Sequence, residues 1–333
     1  MRLLCPKIWS MASKRAKLSG STLTRAAKIG LRISDPAQFQ LLSKIDVVVL
    51  GKAGVLTDSK RKLVRVRLAY GSDLASEEEL LGLAAAVASE SDHSVSRAIT
   101  FEAIAKRIKF EAAADVREIP GAGAVGVVNG DSIYVGGPGL LNSRNIPIYV
   151  DDLVRADAAN QLGNTVCYIA RNSELIGLIE VSDALIPEAA AAVEKLRSLK
   201  IRTVMLTGDV TGVAEYVAAE LGIKEFYAEI IPARKAEAIR ALKADGSKVL
   251  VVGRLPEDGL ALAEGQAGLA LDSAEEAKSN TAGMQLDDSN IVNIVKAISL
   301  SRLQKSLKLT SVLSIISISL LALGGVLVLL GVF

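Results

Sequence analysis

Asp46–Thr57 reads DVVVLGKAGVLT, a β-branched run that ends on Gly51 and carries Lys52, Gly54 and Thr57 into a turn. Phosphoryl transfer through a covalent intermediate needs an oxygen nucleophile at such a strand end, and Gly51 supplies none. Asp46 opens the strand, roughly five residues from that edge at about 3.3 Å each, and so is out of reach. Asp58 lies beyond the loop at a turn, where a solvated aspartate is the ordinary reading. A second short apolar run, Thr203–Leu206, ends in Thr207-Gly208-Asp209, at the edge where ligands of parallel α/β sheets bind. His93 is the only histidine in the chain. At the start of a helix a lone histidine is usually a surface or capping residue. Gly121-Ala122-Gly123-Ala124-Val125-Gly126 has GxGxxG spacing. Backbone free of side chains admits phosphates closely, although the same glycines also suit a hairpin. No long helix follows them, so this is not a dinucleotide fingerprint.

Strand–helix alternation positions these residues. After about residue 180 the chain alternates three times. Thr203–Leu206 is followed by a helix over Val213–Leu221 that Gly222 caps. Pro232 opens a helix to about Ala244, with Lys235 in its first turn and Gly246 beyond. Lys248–Val252 is a strand, a helix follows near Asp258–Glu264, and Gly268–Leu271 is another strand. Apolar strands separated by helices predict a parallel doubly wound sheet, to which Asp46–Leu50 also belongs. The hundred and more residues in between, about Lys62 to Leu178, have a different pattern. Helices are predicted at Glu77–Ser89 and Val95–Ile108, and short strands near Ala124–Val128, Ser132–Gly136, Val166–Ala170 and Ile176–Val181. Together they predict a compact α+β domain inserted into the sheet. Pro187 then opens an Ala-rich helix to about Leu199 that leads the chain back.

With 333 residues there is room for two substantial cores. Thirty-nine basic residues against 37 acidic leave the chain near neutral, so no nucleic-acid partner is expected. The two cysteines, Cys5 and Cys167, give neither a disulfide framework nor a CxxC metal site, which fits a reducing cytoplasm. Leu309–Phe333 carries no charged residue. At about 1.5 Å per helical residue it spans a hydrocarbon core of roughly 30 Å. Arg302, Lys305 and Lys308 precede it and keep the soluble part cytoplasmic by the positive-inside rule. Met1–Lys17 is basic and lacks the apolar core of a signal peptide. It reads either as an amphipathic helix on an anionic membrane or as a solvated arm.

From about Leu23 to Arg302 these pieces resemble, in order, the metal-transporting branch of the P-type ATPases. GKAGVLT resembles the phosphorylation motif DKTGTLT, with Gly51 in place of the nucleophilic aspartate and Lys52 and Thr57 retained. Ser91-Asp92-His93-Ser94 resembles SEHP, whose histidine packs on adenine; Ser94 replaces the proline. The Gly121–Gly126 segment resembles the family's glycine loop. Thr207-Gly208-Asp209 matches TGD, Lys235 the lysine that neutralises phosphate charge, and Asp183 the aspartate before the Pro-Glu-Ala helix. Val252–Gly259, VGRLPEDG, stands where the family reads VGDGINDA. Arg254 replaces a Mg²⁺-binding carboxylate, Glu257 an asparagine, and Asp258 is retained. Arg25–Gly30 resembles the connection from a membrane helix, and Cys5-Pro6-Lys7 the first two residues of the CPC motif.

The resemblance implies an α/β, haloacid dehalogenase-like doubly wound parallel sheet with an inserted nucleotide-binding domain and a C-terminal transmembrane helix. The divisions are a basic helical segment over 1–35, a phosphorylation-like domain over 36–61 and 179–300, a nucleotide-binding-like domain over 62–178, and an anchor over 301–333. It implies ATP or ADP as ligand, with Asp92, His93, Gly121, Gly123 and Gly126 around it. Mg²⁺ needs one or two protein carboxylates beside phosphate oxygens. Gly51 and Arg254 remove both, so Mg²⁺ is not expected. No carboxylate is then expected at the sheet edge to take a phosphoryl group or hold a divalent ion. With no actuator domain and one or two spans, transport by this chain alone is not expected. The implied function is a catalytically inactive ATPase relative, regulatory or nucleotide-sensing, acting in the membrane with a complete P-type ATPase or another membrane protein. The alternative is an ATP-binding subunit or hydrolase, related to copper-type ATPases, with residual activity.

Overall fold

The computed structural model describes residues 18–58, 60–271, 282–287, 290–307 and 310. Met1–Lys17, with its Cys5-Pro6-Lys7, and all but Thr310 of the predicted span Leu309–Phe333 lie outside them. Among the described residues no helix is long and apolar enough to cross a membrane.

Strands are numbered in chain order. The larger sheet contains β1 (Leu31–Ile33), β2 (Val47–Gly51), β9 (Arg202–Leu206), β10 (Glu225–Tyr227), β11 (Val249–Gly253), β12 (Ala267–Leu271) and β13 (Met284–Leu286), in the order β1-β13-β12-β11-β2-β9-β10. β2, β11 and β12 are buried at every position, as strands covered on both faces must be. The pairs β11–β12, β12–β13 and β9–β10 are parallel. β1 corrects the wholly parallel expectation: it lies at the edge, antiparallel to β13. Only an edge strand can reverse there without a crossover on both sides.

The second sheet contains β3 (Lys62–Leu68), β4 (Ala114–Ile119), β5 (Gly123–Val128), β6 (Asp131–Gly136), β7 (Asn164–Arg171) and β8 (Glu174–Ser182), all antiparallel, in the order β3-β8-β7-β6-β5-β4. Alternate residues of β7 feed two cores. Cys167 and Ile169 pack with Leu80, Leu81, Ala84 and Ile99 of helices Glu77–Ala88 and Ser94–Ala105. Val166, Tyr168 and Ala170 pack with Leu140, Leu141, Ala156 and Ala159 of helices Pro138–Ser143 and Val150–Gln161. The strand's period of two thus sorts its side chains onto opposite faces, each covered by helices.

The chain divides into two compact units, one of Met1–Val49, Glu194–Arg202 and Ala236–Phe333, the other of Leu50–Val193 and Thr203–Lys235. In the first, Asp35 caps helix Pro36–Leu41 by accepting from Ala37 N at 2.8 Å. Ser301 Oγ donates to Phe39 O at 2.7 Å, tying the helix over 292–307 to that element. The second unit holds Gly51 and Lys52, the whole second sheet, and Thr207–Asp209.

Candidate functional site

Gly51 is the last, buried residue of β2, and the chain curls directly after it. Val55, Leu56 and Thr57 donate backbone N–H groups to the Lys52 carbonyl at 3.3, 2.9 and 3.1 Å, and Thr57 Oγ1 donates to the same oxygen at 3.2 Å. The retained threonine therefore closes the turn. The curl buries Lys52, leaving its side chain 2% exposed.

Burying an ammonium demands anionic partners, because an unpaired charge in the interior costs several kcal/mol. Lys52 has two: its Nζ lies 2.9 Å from Asp183 Oδ2 and 2.7 Å from Asp209 Oδ2. Arg61 closes the figure from the other side, with Nε 3.0 Å from Asp183 Oδ1 and Nη2 3.3 Å from Asp209 Oδ1. Asp183 Oδ1 receives no aligned hydrogen bond at that distance, so this side is an ion-pair contact. Two cations and two carboxylates alternate in a ring that is neutral as a whole, and every member is nearly buried. Asp209 is further fixed by Thr207 Oγ1, which donates to Oδ2 at 3.0 Å and accepts from the Asp209 amide at 3.1 Å. Burial acts to raise the Asp209 pKa, but Lys52 and Arg61 outweigh it and hold the carboxyl well below the usual range. Burial likewise acts to lower Arg61, and Asp209 and Asp183 reverse it, leaving the guanidinium more firmly protonated than usual.

The ring corrects one expectation: carboxylates do stand at this sheet edge, in Asp183 and Asp209. Spacing gave no hint that they would meet, since 25 residues and a helix lie between them, and Arg61 sits between Lys60 and Lys62 with no pattern that singles it out. The signal available was Asp183 together with the need of a buried Lys52 for counter-charge.

Arg61 and Asp209 also line a cleft of about 260 Å³ with Ser91, His93, Glu118, Thr165 and the backbone turn 119–123. This is just below the roughly 300–1,000 Å³ of small-molecule sites, so it encloses part of such a ligand. His93 is the N-cap of helix Ser94–Ala105, its Nδ1 accepting from Val95 N at 3.3 Å, and it faces the cleft as well. Burial and then the Arg61 charge hold its imidazole below the ordinary pKa. Ser91 Oγ donates to Glu118 and accepts from His93 N at 3.2 Å. Cys167 lies at the buried side of the cleft, its thiol pushed up to about 12 by burial.

The glycine segment is a hairpin: β4 turns through 120–122 into β5. Gly121 (φ +73°) and Gly123 line the cleft, and a Cβ on Gly123 (φ +145°) would meet Val135 O at 2.3 Å. Gly126 lies within β5, where a Cβ would meet Ala113 and Val116 at 2.9 Å. Neither Gly126 nor Asp92 is among the residues lining the cleft. Gly208 sits below Ile230 O. Lys235 is half-buried in the first turn of helix Pro232–Ala244. In the other unit Asp258 is spent on its own turn: Oδ2 accepts from Arg254 N at 3.0 Å, and Asp258 N donates to Arg254 O at 2.8 Å.

A haloacid dehalogenase-like hydrolase family model matches residues 45–265, and the chain belongs to that family. Within it, the chain is homologous to heavy-metal P-type ATPases. It is 32% identical over 302 residues to the copper-exporting P-type ATPase B of Archaeoglobus fulgidus, covering 91% of this chain and 42% of the relative. With the copper-exporting P-type ATPase of Vibrio cholerae it shares 31% over 300 residues, 90% of this chain and 32% of that one. It thus spans less than half the length of these curated relatives. Among solved structures, a zinc-transporting PIB-type ATPase in the E2.Pi state superposes with a TM-score of 0.61 at 30% identity, over 86% of this chain and 46% of that one. The catalytic CPx-ATPase domain CopB-B gives 0.64 at 24% identity, over 85% of this chain and 99% of that domain, a likeness of fold.

Proposed function

We propose that this chain is a heavy-metal P-type ATPase relative that does not form a phosphoenzyme and serves as a nucleotide-sensing, regulatory protein. The observation that carries this reading is Gly51 at the end of β2, beside a Lys52 already neutralised by Asp183 and Asp209. The position that would attack phosphate has no oxygen. Metal-assisted transfer fares no better. Mg²⁺ takes an octahedral shell of oxygens, and here each ring carboxylate is committed to two cations. In the sequence Arg254, whose charge cannot be removed, stands where the family pattern has a carboxylate. The residues present do not fit Mg²⁺.

The cleft beside His93, Gly121 and Gly123 supports ATP or ADP as the ligand sensed. Leu309–Phe333 is proposed as the anchor that keeps these units at the cytoplasmic face, with a complete P-type ATPase or another membrane protein as partner. Purified protein incubated with labelled ATP, Mg²⁺ and copper or zinc is expected to show no hydroxylamine-sensitive acyl-phosphate. Such a band in the wild type would overturn the reading.

One observation favours a second reading, an enzyme with residual activity: Asp183 and Asp209 give the edge two carboxylates. The oxygens of both face Lys52 and Arg61, and Asp209, held well below its usual pKa by those cations, is a weak nucleophile. If the band forms, Asp183→Asn and Asp209→Asn identify which of them carries it.

A further inference from the structure

We propose that Arg61 is the phosphate-contacting residue of the cleft, and that it lets a nucleoside polyphosphate bind without a divalent cation. This rests on the reading of the cleft as a nucleotide site. Arg61 lies outside every motif that the chain shares with the P-type ATPases.

Donor counting comes first. A guanidinium has five N–H donors in a planar fork and cannot lose its charge. Nε faces Asp183 and Nη2 faces Asp209; among the described residues no partner faces Nη1. No Arg61 nitrogen is among the buried polar atoms without a partner, so the Nη1 donors are open to solvent or to an acceptor. Arg61 lines the cleft, so an acceptor that enters there meets it. Its charge already acts on the cleft, depressing His93 and opposing the burial that raises Cys167.

Charge balance then sets the ligand. The ring is neutral, so Lys52 and Arg61 attract a bare anion only as far as their hold on the carboxylates allows. The contact from Arg61 Nη2 to Asp209 Oδ1 is the longest of the four, at 3.3 Å, and Asp209 Oδ1 has a second donor in Thr165 Oγ1 at 3.4 Å. A phosphate oxygen can therefore share the fork without leaving Asp209 unpaired. Glu118, whose carboxylate takes the Ser91 hydroxyl, opposes anions in the same cleft. Phosphate binding here consequently depends on Arg61 itself.

The test is calorimetry on the purified full chain with ATP, pyrophosphate and adenosine, each in chelator and in Mg²⁺. The wild type is expected to bind ATP equally in both. Arg61→Gln is expected to weaken ATP and pyrophosphate about 10- to 100-fold, the range of one charge-assisted contact, and to leave adenosine unchanged. Arg61→Lys, which keeps the charge and loses the fork, falls between. Should Arg61→Gln fail to fold, Arg61→Gln with Asp209→Asn keeps the ring neutral and is expected to lose the same affinity. ATP affinity indifferent to Arg61, a strict Mg²⁺ requirement, or no nucleotide binding would each overturn the proposal. Acyl-phosphate in the wild type would instead sink the inactive reading while leaving this titration to decide the role of Arg61.

Discussion

The four-membered ring yields the sharpest stability prediction. Asp209→Asn removes one charge from a neutral set and leaves Lys52 and Arg61 sharing Asp183, one buried positive charge in excess. Removing one partner of a buried pair costs about 3–5 kcal/mol. For a unit of this size each kcal/mol moves the melting temperature by about 2–4 °C, so the loss is roughly 6–20 °C. Arg61→Gln leaves one negative charge in excess and costs a similar amount. The double variant restores neutrality, and its loss should fall short of the sum of the singles by about 0.5–3 kcal/mol, as contacting residues couple. Acid supplies an independent check. The Asp209 carboxyl is held below its unfolded value of about 3.9, so its contribution is fully present above that pH and fades as pH falls through the folded value. Asp209→Asn has no such limb. The gap between wild type and variant, measured by circular dichroism melts, should narrow steadily below about pH 4. Additive single losses, or a gap that stays constant into strong acid, would refute the idea that the four charges act as one unit.

Three further outcomes follow from local geometry. Gly163→Ala combines a left-handed φ of +79° with a Cβ 2.4 Å from the Tyr216 ring, and should cost about 2–4 kcal/mol in a denaturant titration; adding Tyr216→Ala should recover the steric share alone. Cys167, with its thiol pushed up to about 12, should stay unmodified by iodoacetamide at pH 7.5 in the native protein and react in guanidinium, read peptide by peptide in a mass spectrometer. Labelling of the folded protein would contradict its burial. His93, the sole histidine, should give one imidazole NMR signal titrating below about 6.5. Its folded pKa is lowered, so the unfolded state takes up the proton first, and stability should fall as pH drops through that unfolded value.

The alternation of β9, β11 and β12 with helices was legible because strands buried on both faces leave continuous apolar runs, and Pro232–Ala244 was legible because a first-turn proline and a trailing glycine bound it. β3 and β4 were not. Their exposed positions carry Lys62, Arg65, Arg117 and Glu118, and both lie at edges of the second sheet, where one side needs no partner. A polar edge strand resembles a loop. Helix Val150–Gln161 was hidden for a related reason: Tyr149, Val150 and Val154 stay exposed, so apolar spacing did not coincide with a buried face. β1, β10 and β13 have three residues each, too few to show any period.

The candidate site divides along the same physical line. Thr207, Gly208 and Asp209 were readable because the constraint on them is local: the hydroxyl closes onto the amide two residues on, and Ile230 O leaves Gly208 little more than van der Waals room. Arg61 was not readable because its constraint is electrostatic and spans the chain. Lys52 must be buried to end β2 in so tight a curl; a buried ammonium draws in Asp183 and Asp209; and two carboxylates against one ammonium leave a charge that a second cation has to cancel. Arg61 supplies it, from a loop whose composition reads as solvent-facing. Gly51 enters the same balance, since an aspartate there would set a third carboxylate beside a ring already neutral. The glycine at position 51 and the presence of Arg61 are thus consistent parts of one charge arrangement, a ring of two cations and two carboxylates that is neutral as a whole.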